Sequence, residues 1–109
     1  MMPIRSKGVG MPLRADRGFT ISVTLSPALA RLGNAPTNLL IHDCINLEEV
    51  VGSLVIMFPL LHEALAMKMG LLSRYIAVFC NDVQVSGSLR NYRIERESHV
   101  EIVTAVAGG

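Results

Sequence analysis

Cysteine is scarce in this sequence. Its two cysteines, Cys44 and Cys80, lie far apart and fit no ligand spacing, which argues against a disulfide-stapled scaffold or a zinc site. A reducing cytoplasm is the simpler expectation. Charge is scarce too: charged residues make up 17% of the chain, with 10 Lys+Arg against 9 Asp+Glu. A net charge of +1 argues against a nucleic-acid binder that works by neutralising phosphates. Trp is absent, and the composition is poor in the His, Asp and Cys that most catalytic machinery concentrates. Long apolar runs are also missing. The most apolar window, residues 50–61, contains Pro59 and falls short of the ~20 residues that a membrane-spanning helix needs. The first ten residues have basic groups but no apolar run after them, so they do not read as a secretory signal. The expectation is a soluble, cytoplasmic protein with neither nucleic acid nor membrane among its partners.

What is present is material for a core. The chain has 109 residues, 50% of them hydrophobic, which suits one folded domain. Residues 1–17 hold Arg5, Lys7, Arg14 and Arg17 against Asp16 alone, and their few apolar residues follow no period. They read as a flexible basic N-terminal arm, with Met11 as a candidate downstream start and residues 18–109 as the folded body.

The body opens with a strand pattern. Phe19, Ile21, Val23 and Leu25 alternate with Thr20, Ser22, Thr24 and Ser26 until Pro27 ends the run. Residues 28–37 read as a turn-rich connection holding at most a short helical turn. Residues 38–42 form a second, shorter strand candidate. Asn46 with Glu49 three residues on resembles a capping box. Leu47, Val50, Val51, Leu54, Val55 and Phe58 then follow at the spacing of a core-facing helix, with Gly52 and Ser53 small enough for close packing. Pro59 breaks that helix. Residues 60–69 are expected to continue as a second helical piece stopped by Gly70. Residues 75–80 read as a strand, Asn81-Asp82 as a turn, 83–85 as a short return and 99–106 as the last strand. The order predicts an α+β domain with one helix packed across one mixed sheet.

The sequence then closes on Gly108 and Gly109, which weaken ordered structure and bring no side chain to pack. A thin thread of this kind fits a narrow enzyme tunnel where any Cβ would clash. Its carboxylate is a poor electrophile until ATP converts it to an acyl-adenylate. On this view the reactive group is the main-chain carboxyl of Gly109, and no side chain is catalytic.

Four stretches in this order resemble the β-grasp, or ubiquitin-like, sulfur carriers related to ThiS and MoaD. They are the alternating first strand, the Asn46-Leu-Glu-Glu-Val-Val-Gly-Ser-Leu helix, Ile76-Ala-Val-Phe-Cys-Asn-Asp82, and the ending Ser98-His-Val-Glu-Ile-Val-Thr-Ala-Val-Ala-Gly-Gly109. Ala105-Val-Ala-Gly-Gly109 is most like the CysO type, which supplies sulfur for cysteine synthesis. The resemblance runs from about Phe19 to Gly109 and leaves out residues 1–17. It implies that an E1-like enzyme akin to MoeB or ThiF adenylates the carboxylate of Gly109, with Ala107 and Gly108 as the tail. Sulfur from a persulfide, handled by a sulfurtransferase, then displaces AMP and leaves a thiocarboxylate for a downstream synthase of a cysteine, thiazole or related pathway. The carrier is a cosubstrate with no bound cofactor or metal; ATP is used by the activating enzyme. Two features depart from the family: Glu97-Ser98 stands where relatives commonly carry Asp-Gly, and residues 59–73 are unusually apolar and Met-rich. Three alternatives stay open: the small subunit of molybdopterin synthase, a ubiquitin-like modifier that forms isopeptide bonds, and a plain interaction module.

Alternation along the last strand puts His99, Glu101, Val103 and Ala105 on the side away from the helix, with Tyr75, Ala77 and Phe79 beside them. Phe79, Val103 and Ala105 are thereby the candidate docking face for a partner. Cys44 and Cys80 are expected as structural core residues and His42, His62 and His99 as surface or hydrogen-bonded ones. Arg90, Arg93 and Arg96 are expected in a solvated loop, and Met57, Met67 and Met69 as core filling.

Overall fold

Strand β1 (Phe19–Leu25) buries Ile21, Val23 and Leu25 and turns Thr20, Ser22 and Thr24 to the opposite face, as its period-two sequence requires. The structure is a computed structural model that describes residues 18–104. The arm 1–17 and residues 105–109 lie outside the described residues. β2 (Asn38–Cys44), β3 (Ile76–Cys80), β4 (Val83–Gln84) and β5 (Ser98–Thr104) complete a sheet of order β2-β1-β5-β3-β4. β1 and β5 run parallel at its centre, and the other neighbours are antiparallel. Parallel strands need a long crossover, and everything between β1 and β5 serves as one.

Helix α2 (Leu47–Met57) lies on the inner face. Asn46 caps it by accepting the Glu49 backbone N–H at 2.9 Å, and Glu49 Oε1 accepts the N–H of Ile45 at 3.0 Å. This is a capping box with the return bond shifted one residue outward, and Glu48 and Glu49 sit favourably at the positive end of the helix dipole. Leu47, Val50, Val51 and Leu54 are buried in one cluster with Ile21, Val23, Val78, Val100 and Ile102. Each such side chain contributes about 1.5–3 kcal/mol by leaving water. No polar or charged residue among the described ones is buried.

Five sequence expectations change here. Residues Pro27–Gly33 form a true helix, α1, so two helices pack on the sheet. Ser26 accepts the Leu29 N–H at 3.5 Å, Pro27 opens the first turn, and Asn34 closes the last one in the left-handed region at φ 51°. Seven residues are marginal alone, so burial of Leu29, Ala30 and Gly33 holds α1 in place. Gly33 is there for contact: a Cβ would lie 2.5 Å from Leu61 Cγ.

Residues 60–69 do not continue as a helix. Phe58 precedes a proline and is pushed to φ −132°, ψ 80°, after which Pro59–Leu61 makes a single 3-10 turn. Gly70 is not a helix stop. It follows Met69 in a tight turn with φ values of 55° and 80°, across which Lys68 and Leu71 exchange two hydrogen bonds of 2.9 Å. Met57 and Met69 are exposed rather than core filling, because one sits beyond the buried stripe and the other at the tip of that turn. Gly52 is not needed for packing, since a Cβ there would meet nothing within 4 Å.

Candidate functional site

Strand β5 gets its position from both flanks. Ser98 to Ile102 pair with Ile21 to Leu25 of β1, and Val100 to Thr104 pair with Cys80 to Ile76 of β3. The two ladders are offset by two residues. At Ile102 the β1 side closes: its carbonyl accepts the Ser26 N–H at 2.9 Å, and the chain turns away into α1. Val103 and Thr104 therefore leave the sheet centre beside β3 alone. Val100 and Ile102 are buried, so the strand is anchored through its inward side chains as well.

The turn after β3 holds the start of β5. Asn81 and Asp82, at φ 51° and 71°, make the tight turn that the sequence predicts. The Asn81 backbone N–H donates to His99 O at 2.8 Å, and its side-chain oxygen accepts the His99 N–H at 3.0 Å. The Asn81 amide also donates to Ser98 Oγ at 3.3 Å. With this clamp, the Glu97-Ser98 departure leaves the register of β5 intact.

On the outer face the predicted docking residues fall as follows. Phe79 stands opposite Glu101 and Val103 opposite Ala77, so Phe79 and Val103 share the face as diagonal neighbours. Both are half-buried. Ala105, Ala107, Gly108 and Gly109 lie outside the described residues. The rest of the face is polar. His99 Nδ1 lies 2.6 Å from Ser22 Oγ and its Nε2 3.3 Å from Thr24 Oγ1, while His42 Nδ1 lies 3.1 Å from Thr20 Oγ1. His99 is thus a hydrogen-bonded sheet residue, as expected.

Cys44 and Cys80 are buried in the core, as expected. Beside Cys80, at the opposite end of β5 from Thr104, an open cleft of about 420 Å³ is lined by Asn81, Tyr92, Arg93, Arg96 and Ser98. The length of β5 separates it from Thr104 by roughly 20 Å. Electrostatic contact with Cys80, then partial burial and the hydrogen bond to that sulfur, push the Tyr92 phenol above its ordinary range, and Arg96 opposes them. Arg90 is not merely solvated: its Nε and Nη2 reach both carboxylate oxygens of Glu48 at 2.9–3.3 Å. That hydrogen-bonded fork holds the Glu48 carboxyl below its ordinary value. Its partners lie 42 residues apart, and no sequence spacing revealed them. Among the described residues no group of three or more His, Cys, Asp or Glu is placed to hold a metal, and no helix is long and apolar enough to cross a membrane.

Solved structures share this architecture. Small archaeal modifier protein 1 from Haloferax volcanii matches with a TM-score of 0.68 at 17% identity, over 83% of this chain and 99% of that one. Mycobacterium tuberculosis CysO, described as an antigen, matches with a TM-score of 0.65 at 22% identity, over 79% and 99%. A putative molybdopterin converting factor subunit 1 from Pyrococcus furiosus gives 0.64 at 10% identity, over 82% and 100%. No protein-family model matches the sequence, and no curated protein matches it. What the chain shares with these structures is its fold, the small α+β β-grasp of ThiS/MoaD-like and CysO-like proteins.

Proposed function

We propose that the protein is a sulfur carrier, with Gly109 as the residue that is adenylated and then converted to a thiocarboxylate. The observation that carries this reading is the position of β5. A central strand, clamped on both sides and buried through Val100 and Ile102, leads at Thr104 into Ala105-Val-Ala-Gly-Gly109. A rigid scaffold of this kind offers a slender segment to another protein and needs no catalytic side chain of its own. The similarity in fold to a protein modifier, to CysO and to a molybdopterin converting factor subunit agrees with that role.

The chemistry follows from the carboxylate. Attack of the Gly109 carboxylate on the α-phosphorus of ATP releases pyrophosphate and gives an acyl-adenylate. The terminal sulfur of a persulfide attacks the acyl carbon, and AMP leaves. A second thiol then breaks the sulfur–sulfur bond, forming a disulfide with the donor and leaving the thiocarboxylate. The partners are an E1-like enzyme of the MoeB or ThiF type, a sulfurtransferase and a downstream synthase of a cysteine, thiazole or related pathway. The carrier itself is not an enzyme, and ATP belongs to the activating enzyme. A chain with only two cysteines, far apart in sequence, suits a reducing cytoplasm.

Incubation with the E1-like enzyme, ATP and a sulfur donor is expected to raise the intact mass by about 16 Da, the exchange of one oxygen for sulfur. Deleting Gly108 and Gly109 is expected to abolish that gain while the melting temperature stays unchanged. An unchanged mass in the intact protein refutes the reading. Similarity to the small archaeal modifier favours a second reading, in which the tail is joined to lysines, and ladders of conjugates would establish it.

A further inference from the structure

Several exposed apolar residues lie on the segment that leads into β3, whose first residue, Ile76, pairs with Thr104. Met69 is 86% exposed, Tyr75 51% and Leu71 49%, whereas Phe79 and Val103 are half-buried. Met69 is a large apolar residue held in the left-handed region at φ 55°, so the turn costs backbone energy and presents the side chain to water. Behind this rim lies a mostly apolar hollow of about 460 Å³, lined by Ala66, Met69, Leu71, Leu72 and Ser73 among others.

This surface is tied to the delivery strand by a short path. The Ser73 carbonyl, in the wall of the hollow, accepts the Ile76 N–H at 2.9 Å, and Ile76 pairs with Thr104. The five residues from Ala105 to Gly109 span at most ~18 Å when extended. Any protein that grips Gly109 thus works within that distance of Thr104, close to the rim. The rim is also basic. Residues 66–75 carry Lys68 and Arg74 and no acid, and the Arg74 guanidinium sits 5.3 Å from the Tyr75 ring centre and 3.3 Å from its hydroxyl. Glu63 borders the hollow from outside that segment. A second copy of this chain would bring two basic rims together, whereas an acidic partner would be attracted.

We propose that the rim Met69–Tyr75 and its hollow dock the enzyme that activates the carboxylate of Gly109, placing an apolar side chain of that enzyme in the hollow and a carboxylate against Arg74. This rests on the sulfur-carrier reading and adds the surface by which the activating enzyme selects the carrier.

ATP–pyrophosphate exchange with the same organism's E1-like enzyme tests it. Met69→Asn removes the apolar side chain and keeps a residue that tolerates positive φ, and Arg74→Glu reverses an exposed charge. Each is expected to raise KM for the carrier about tenfold or more and to leave kcat within about twofold, the signature of lost docking alone. Leu40→Asn, an exposed apolar residue on edge strand β2, is expected to change neither. Circular dichroism of all three should overlay the wild type. Wild-type KM in both Met69→Asn and Arg74→Glu, with exchange intact, overturns the surface and leaves the carrier reading standing. Absence of exchange by the wild type removes the reading and the surface together. A wild-type dimer that Met69→Asn dissociates would assign the rim to a second copy and overturn the proposal too.

Discussion

Residues 19–57 and residues 58–75 are both rich in aliphatic side chains, yet they are held in different ways. The first stretch repeats: two strands and two helices carry apolar residues inward at intervals of two or of three and four. The second has one 3-10 turn and a tight turn, and its backbone bonds are local except at Gly70, whose carbonyl accepts the Leu89 N–H at 2.8 Å. Leu61 and Leu65 reach the core from it, while Leu60, Met69, Leu71 and Tyr75 stay in water. Apolar composition alone therefore does not decide burial. A repeating backbone does, because it returns side chains to one face at a fixed spacing.

The sharpest test of that contrast sets Leu54 against Ile56, two residues apart on α2 and 0% and 81% exposed. Leu54→Ala is expected to cost about 2–5 kcal/mol in urea unfolding. Ile56→Ser should stay within about 0.5 kcal/mol. Similar losses at both sites would mean that the 58–75 segment folds over the end of α2. Gly33→Ala comes next, at about 1–3 kcal/mol, because its methyl meets Leu61, where α1 packs against the irregular stretch. A neutral Gly33→Ala in the same assay would show that Leu61 yields freely. Asn46→Ala should cost about 1 kcal/mol by uncapping α2, read as a lower midpoint with an unchanged slope.

The smallest expected effect is at the Arg90–Glu48 fork. Because its carboxyl is held below its ordinary value in the folded state, the pair adds stability above the carboxylate range. That increment fades as pH falls through the depressed value. Arg90→Ala should therefore melt slightly below the wild type at neutral pH and converge with it in acid. Arg90 is exposed and Glu48 partly so, and salt should shrink the gap as well.

Much of the fold was legible from period alone. The alternation of 19–25 and the stripe from Leu47 to Leu54 each name their own buried face, and Asn46, Pro59 and Asn81-Asp82 mark boundaries by local chemistry. Helix α1 escaped because seven residues give too short a stripe to stand out from a turn, although Ser26-Pro27 and Asn34 bracket it. The 60–69 stretch misled because its Leu and Met spacing imitates a helix while the proline start leaves it a single turn. At the candidate site, the strand leading to Gly109 was legible. The rim beside it was not, since an exposed Met in a left-handed turn leaves no signature in sequence.

By itself the sequence determined the longer periodic elements and their inward faces, because those depend on neighbours within a few residues. Only the tertiary structure decided that β5 lies between β1 and β3, that Arg90 reaches Glu48, and that Met69 and Tyr75 face water beside the strand ending at Thr104. Those are contacts between segments distant in the chain. They are set by how the pieces close over one core, which no local pattern encodes.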